Sequence, residues 1–119
     1  MRLQESGEMY LETIYVLEKK LPIVRAIDIC EYRSVSKPSV SRAVGLLKQG
    51  GYIDCQADGG LVLTESGRLV AEKIYERHTV LKDFLVKIGV ADEIADEDAC
   101  KIEHIISDQT FNAIKNSLN

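Results

Sequence analysis

The chain has no apolar run long enough to cross a bilayer, and no apolar core near its N-terminus of the kind a secretory signal needs. The expected location is cytoplasmic, with no membrane among the partners. Its three cysteines, Cys30, Cys55 and Cys100, are an odd number, widely scattered and without CxxC spacing. That argues against a disulfide framework and fits a reducing compartment. Repeats, low-complexity tracts and Gly/Ser linkers are also missing, so 119 residues allow one ordinary domain or two small lobes sharing a core. No nucleophile–base pair is evident, and catalysis is not expected.

What is present is asymmetric. Residues 18–50 carry seven basic side chains (Lys19, Lys20, Arg25, Arg33, Lys37, Arg42, Lys48) against three acidic ones. Residues 83–109 carry two basic side chains against eight acidic ones, within a chain of net charge −4. One half suits a polyanion and the other attracts cations. With 45% apolar residues the chain should fold rather than stay disordered.

Apolar spacing predicts a helix over residues 8–20, ended by Leu21-Pro22, then a short helix from about Val24 to Tyr32 with Ile27, Ile29 and Cys30 as core candidates. Ser36 is placed to cap a third helix, with Pro38 in its first turn and Val40, Val44 and Leu47 as its buried stripe, stopping at Gly50-Gly51. Two such helices joined by a tight polar break read as helix-turn-helix. Residues 52–55 and 61–64, separated by Ala-Asp-Gly-Gly, read as a β-hairpin. A hairpin directly after a recognition-type helix is a wing. Thr64 then caps a long helix from about Ser66 to Val86, closed by Gly89. Asp92 to Asp98 is expected to be a connection or a short helical turn leading into a helix that holds Cys100. Ser107-Asp108 is expected to cap a last helix with Phe111, Ile114 and Leu118.

The accessible face of the Pro38 helix is short, polar and basic. Lys37, Ser39, Ser41 and Arg42, with Ser36, Pro38 and Arg25 at its edges, form the candidate DNA-facing set. Arg42 is the candidate base reader, because a guanidinium can bond guanine bidentately. A lone copy would make few contacts, so a homodimer on a double-stranded operator is expected. The rival is a winged-helix protein-interaction module with a structural metal or none.

Cys100, Glu103 and His104 stand at i, i+3 and i+4, so in a helix they would share one face. A thiolate, a carboxylate and an imidazole together suit a divalent transition metal of intermediate hardness. Met9 and Glu12 on the first helix and His78 on the long one complete six candidate ligands from three helices.

The segments Glu8–Tyr15, Ser36–Ser41, Leu61–Gly67, Arg77-His78 and Asp98–Asp108 carry a resemblance. The chain resembles the family of metal-dependent repressors that includes the diphtheria toxin repressor and the manganese transport regulators. That resemblance implies a mainly α fold, with an N-terminal winged helix-turn-helix (residues 1–67) followed by a helical metal-binding and dimerisation domain (68–119), the first helix serving both. It implies a metal-activated repressor. In the iron-sensing branch the activating site uses a Met, a Cys, a Glu and a His, which match Met9, Cys100, Glu103 and His104. In the manganese branch the Met and Cys positions are carboxylates and a further Glu binds, matched by Glu12. The soft sulfurs of Met9 and Cys100 make Fe²⁺ the first choice and Mn²⁺ the second. An ancillary site of the iron branch has its histidine at His78, but Lys82 and Asp96 stand where its carboxylate and second histidine would be. A charged ammonium has no lone pair to donate, so a complete second site is not expected. The resemblance implies that the sequence ends near the close of the dimerisation half, and no SH3-like domain of the kind in longer members is expected.

Overall fold

The computed structural model describes residues 5–119. The first four residues, included above in the N-terminus without a signal core, lie outside the described residues. The chain forms two compact units, one running to Glu72 and the other from Lys73 to Asn119. Their boundary falls five residues after the expected one and inside a helix.

The first unit is a winged helix-turn-helix. Helices α1 (Glu5–Glu18), α2 (Ala26–Arg33) and α3 (Lys37–Gln49) precede strands β1 (Ile53–Cys55) and β2 (Leu61–Leu63). Leu11, Ile14, Ile29, Val40 and Ile53 are fully buried and join the three helices to the wing. Each such side chain contributes about 1.5–3 kcal/mol. The Ser36 hydroxyl, which accepts from the Ser39 N–H at 3.3 Å, is worth about 1 kcal/mol as a cap. The core therefore sets where α3 lies, and the cap sets where it begins. Ile27 departs from expectation, being 52% exposed. On so short a helix Ile29 alone faces inward, with Cys30 half-buried beside it.

The strands pair antiparallel, Ile53 with Leu63 and Cys55 with Leu61. Ile53, Leu61 and Leu63 face the core while Val62 points outward, the alternation of a half-buried hairpin. Helix α4 (Glu65–Lys87) starts against this wing. Thr64 Oγ1 accepts from the Gly67 N–H at 3.2 Å, as the expected cap. A Cβ at Gly67 would sit 2.0 Å from the Tyr52 carbonyl oxygen, so only glycine permits this approach.

The second unit contains the rest of α4, α5 (Asp92–Ile102) and α6 (Asp108–Ser117). Gly89, at φ 108°, turns the chain after α4. The acidic run, expected as a connection or a short helical turn, forms the first turns of α5. Asp92 and Glu93 sit at its positive N-terminal end, where carboxylates are favoured. Ala95 and Ala99 supply its buried stripe. Ser107 caps α6 as expected, accepting from the Thr110 N–H at 3.1 Å, and Phe111 is buried. Ile74 and Leu81 complete this small core. Ile88, Ile94 and Ile105 are exposed, much apolar surface for a unit of this size.

Candidate metal centre and nucleic-acid interface

Glu12 lies on α1 among Tyr10, Leu11, Thr13 and Ile14, and it is 4% exposed where an ordinary helix-surface glutamate would be solvated. Within the same unit its Oε1 is 3.6 Å from Arg33 Nη2. Met9, one turn earlier, is half-buried, and its sulfur is 3.8 Å from the Thr13 hydroxyl.

In the second unit Glu103 is completely buried. Its Oε2 lies 2.9 Å from His78 Nδ1 and its Oε1 lies 3.3 Å from His104 Nε2. Glu103 Oε1 makes no hydrogen bond. A buried carboxylate with an unsatisfied oxygen costs free energy unless a cation meets it. One carboxylate between two imidazoles offers oxygen and nitrogen donors that suit a divalent transition ion, so the residues present fit such a metal. Cys100, half-buried in the last turn of α5, is the soft donor nearest in sequence.

The helix expected to hold Cys100, Glu103 and His104 ends sooner than predicted. It stops at Ile102, Glu103 is its C-cap with φ −56° and ψ −25°, and His104 falls in the following turn. Glu103 keeps helical register, its N–H donating to the Ala99 carbonyl, and His104, although past the helix end, still brings Nε2 to the Glu103 carboxylate. Past the helix end the chain is held by Arg77 on α4, which was read in sequence only as part of a motif. Its Nη1 donates to the Glu103 and Ile106 carbonyls at 3.1 and 2.9 Å, and Nη2 donates to Asp108 Oδ1 at 2.5 Å. These bonds satisfy carbonyls that a continuing helix would otherwise use. The available signal was a charged residue inside the buried stripe of Ile74 and Leu81.

His78 is tied at both nitrogens, Nδ1 to Glu103 and Nε2 to Asp96 at 2.9 Å. Carboxylates only accept, so both contacts are hydrogen bonds only when both ring nitrogens carry protons. Ligation through either nitrogen would displace one of them. Lys82 Nζ lies 3.6 Å from Asp92 and 3.7 Å from Asp96. The hydrogen bond from His78, then the charges of His78 and Lys82, hold the Asp96 carboxyl below its ordinary value of 3.8. Lys82 and Asp96 are thus paired with each other. Cys55 is exposed on the wing, and Cys30, expected in the core, is half-buried.

Asp108 gives a pH-dependent expectation. The hydrogen bond from Arg77 and then the charge of Lys73 hold its carboxyl below 3.8. A depressed folded pKa contributes stability that is present above the unfolded value and lost as pH falls through the folded one. Asp108→Asn should therefore lower the melting temperature at pH 7, and the gap to the parent should close below about pH 4. Melting curves across pH check this; a gap independent of pH would mean the carboxylate charge is irrelevant.

On the other candidate surface, Lys37, Pro38, Ser41 and Arg42 are exposed on α3. Ser36 donates its hydroxyl proton to Ser39 Oγ at 2.7 Å while capping the helix, so both serines are engaged in the cap. Arg25 is exposed, yet its Nε donates to the Asp58 carbonyl in the wing turn at 3.1 Å. It ties wing to helix.

Residues 2–61 match the family model described as the iron dependent repressor N-terminal DNA binding domain, and residues 64–119 the one described as its metal binding and dimerisation domain. The chain is 33% identical over 116 residues to an uncharacterised HTH-type transcriptional regulator of Methanocaldococcus jannaschii, covering 95% of this chain and 92% of that one. It is 38% identical over 109 residues to the HTH-type transcriptional regulator MntR of Geobacillus kaustophilus, covering 92% of this chain and 75% of that one. Among solved structures it is similar to the manganese regulator SloR, with TM-score 0.86, 28% identity, and coverage of 100% of this chain and 55% of that one. The chain therefore spans little more than half the length of that solved relative.

Proposed function

The chain belongs to the iron-dependent repressor family, and from that premise we propose that it is a homodimeric, cytoplasmic, metal-activated transcriptional repressor of a double-stranded DNA operator. The observation that carries the metal half is Glu103, a fully buried carboxylate between two imidazoles with one oxygen making no hydrogen bond. The proposed ligands are Met9, Glu12, His78, Cys100, Glu103 and His104. A divalent cation would supply positive charge to these buried carboxylates. Glu12 belongs to the DNA-binding unit, where α1 packs directly on α2 and α3. On the DNA side Arg42 is proposed to read bases, and Lys37, Ser41 and Arg25 to hold phosphates. The exposed Ile88, Ile94 and Ile105 support a second copy as the partner of the dimerisation unit.

Fe²⁺ is proposed as the preferred ion because Met9 and Cys100 are soft donors, with Mn²⁺ second. The relatives named for manganese, and the hard oxygens of Glu12 and Glu103, favour the second. Met9→Asp replaces a thioether with a carboxylate and is expected to shift preference toward Mn²⁺. The measure is the ratio of Fe²⁺ to Mn²⁺ concentration at half-maximal DNA binding. An unchanged ratio would leave Met9 as packing only.

The central test selects DNA from a random-sequence pool with Fe²⁺-loaded protein under anaerobic conditions. Selected fragments are then run in gel shifts with Fe²⁺, with Mn²⁺ and with chelator. Retardation that requires metal is expected. Equal retardation in chelator, or no enriched sequence, would favour the interaction-module alternative.

A further inference from the structure

Arg33 has no part in the scheme above, yet it contacts the helix that carries two proposed ligands. It lies in the last turn of α2, three residues before the Ser36 cap of α3. Its Nε–H donates to Thr13 Oγ1 at 2.7 Å, and that hydroxyl donates to the Met9 carbonyl at 2.8 Å. Thr13 is fully buried, so this bond fixes the guanidinium against α1 rather than leaving it on a solvated arm. The same guanidinium places Nη2 3.6 Å from Glu12 Oε1, on a side chain 5% exposed.

A carboxylate that far from water is costly unless a cation stands beside it, and a fixed guanidinium is well suited to that place. We propose that Arg33 is a counter-cation of Glu12 in the metal-free protein and opposes the metal at that carboxylate, thereby setting the metal concentration at which DNA binding switches on. This rests on Glu12 being a ligand. Two cations drawing on one carboxylate repel each other, so the pairing that steadies the metal-free protein weakens its hold on metal. A residue with only a structural role would lower both stability and metal affinity when removed. Arg33 is distinguished by opposite signs in the two measurements. Its place beside the helix-turn-helix break means that a change in its hold on Glu12 is felt where α3 begins.

The experiment uses the full chain with four substitutions. In metal-free protein, Arg33→Gln should lower the melting temperature by about 4 °C, and by much less in the Glu12→Gln background. Metal affinity, measured by competition of Mn²⁺ or Fe²⁺ against a chromophoric chelator without DNA, should rise on the order of tenfold in Arg33→Gln. Arg33→Lys keeps the positive charge and should stay near the parent. Arg68→Gln removes a charge from the Glu18 pair on the same helix and should leave metal affinity unchanged. If Arg33→Gln binds metal as the parent does, or more weakly, while Glu12→Gln is impaired, the opposing role of Arg33 is wrong and the ligand assignment stands. Equal melting losses from Arg33→Gln in both backgrounds would also overturn it. Unchanged metal affinity in Glu12→Gln would overturn the ligand assignment itself, and this inference with it.

Discussion

Glu103→Gln is expected to abolish metal-dependent DNA binding while leaving the metal-free fold intact. The substitution keeps the shape of a side chain with no exposure to water, removes its charge and turns one accepting oxygen into an amide donor. Residues that merely support metal ligands cost about 10–100-fold in affinity when changed, so loss of a direct, fully buried carboxylate should cost at least about 100-fold. Metal-free stability should change little, because relief from holding an ionised carboxylate out of water offsets the weakened contacts to His78 and His104. The two results together separate a ligand from a packing residue, since a packing residue would lose stability first. Cys100→Ala should weaken metal binding as well, whereas Cys30→Ala and Cys55→Ala should not, as Cys55 lies exposed on the wing and Cys30 packs against the first unit's core. Chelator competition and melting curves on the same preparations make the comparison. Parental metal affinity in Glu103→Gln would remove the centre from this site.

The parts of this molecule that were legible in sequence are those governed by local chemistry. Ser36 with Pro38, Thr64 with Gly67 and Ser107 with Asp108 each announce a helix start through a side chain that bonds its own backbone, and all three hold. The wing was readable because Ile53, Leu61 and Leu63 alternate with exposed neighbours around a Gly-rich turn. What was not legible depends on partners distant in sequence. The turn after α5 is held by Arg77, which lies 26 residues before the Glu103 carbonyl it binds. Arg33 was counted only as positive charge, and its meaning comes from Thr13 and Glu12 on another helix. The acidic stretch of α5 stayed open between a connection and a short helical turn because five carboxylates between Asp92 and Asp98 mask the buried Ala95 and Ala99 stripe. Ile27 was misjudged for the opposite reason: apolar spacing on an 8-residue helix cannot say how many of its positions the neighbours will cover.

Arg42→Ala and Lys37→Ala are expected to damage DNA binding in different ways. Both side chains are exposed on α3, but Lys37 is its first residue and Arg42 lies more than a turn further along. The Ser36–Ser39 cap fixes where the helix begins, and hence which side chains lead into a groove. A long guanidinium one turn in can reach base edges, whereas an ammonium at the helix start is better placed for a phosphate. Arg42→Ala should cost about 1–3 kcal/mol on the selected operator and flatten discrimination among operator variants. Lys37→Ala should weaken every sequence about equally and lower the slope of log affinity against log salt by about one unit. Neither change should alter metal affinity measured without DNA, because neither residue is a proposed ligand. Binding isotherms over a set of single-base operator variants, repeated at several salt concentrations, test both. If Arg42→Ala weakens all sequences to the same extent and reduces the salt slope, Arg42 grips the backbone. The base reader must then be sought among Ser39, Ser41 and the wing.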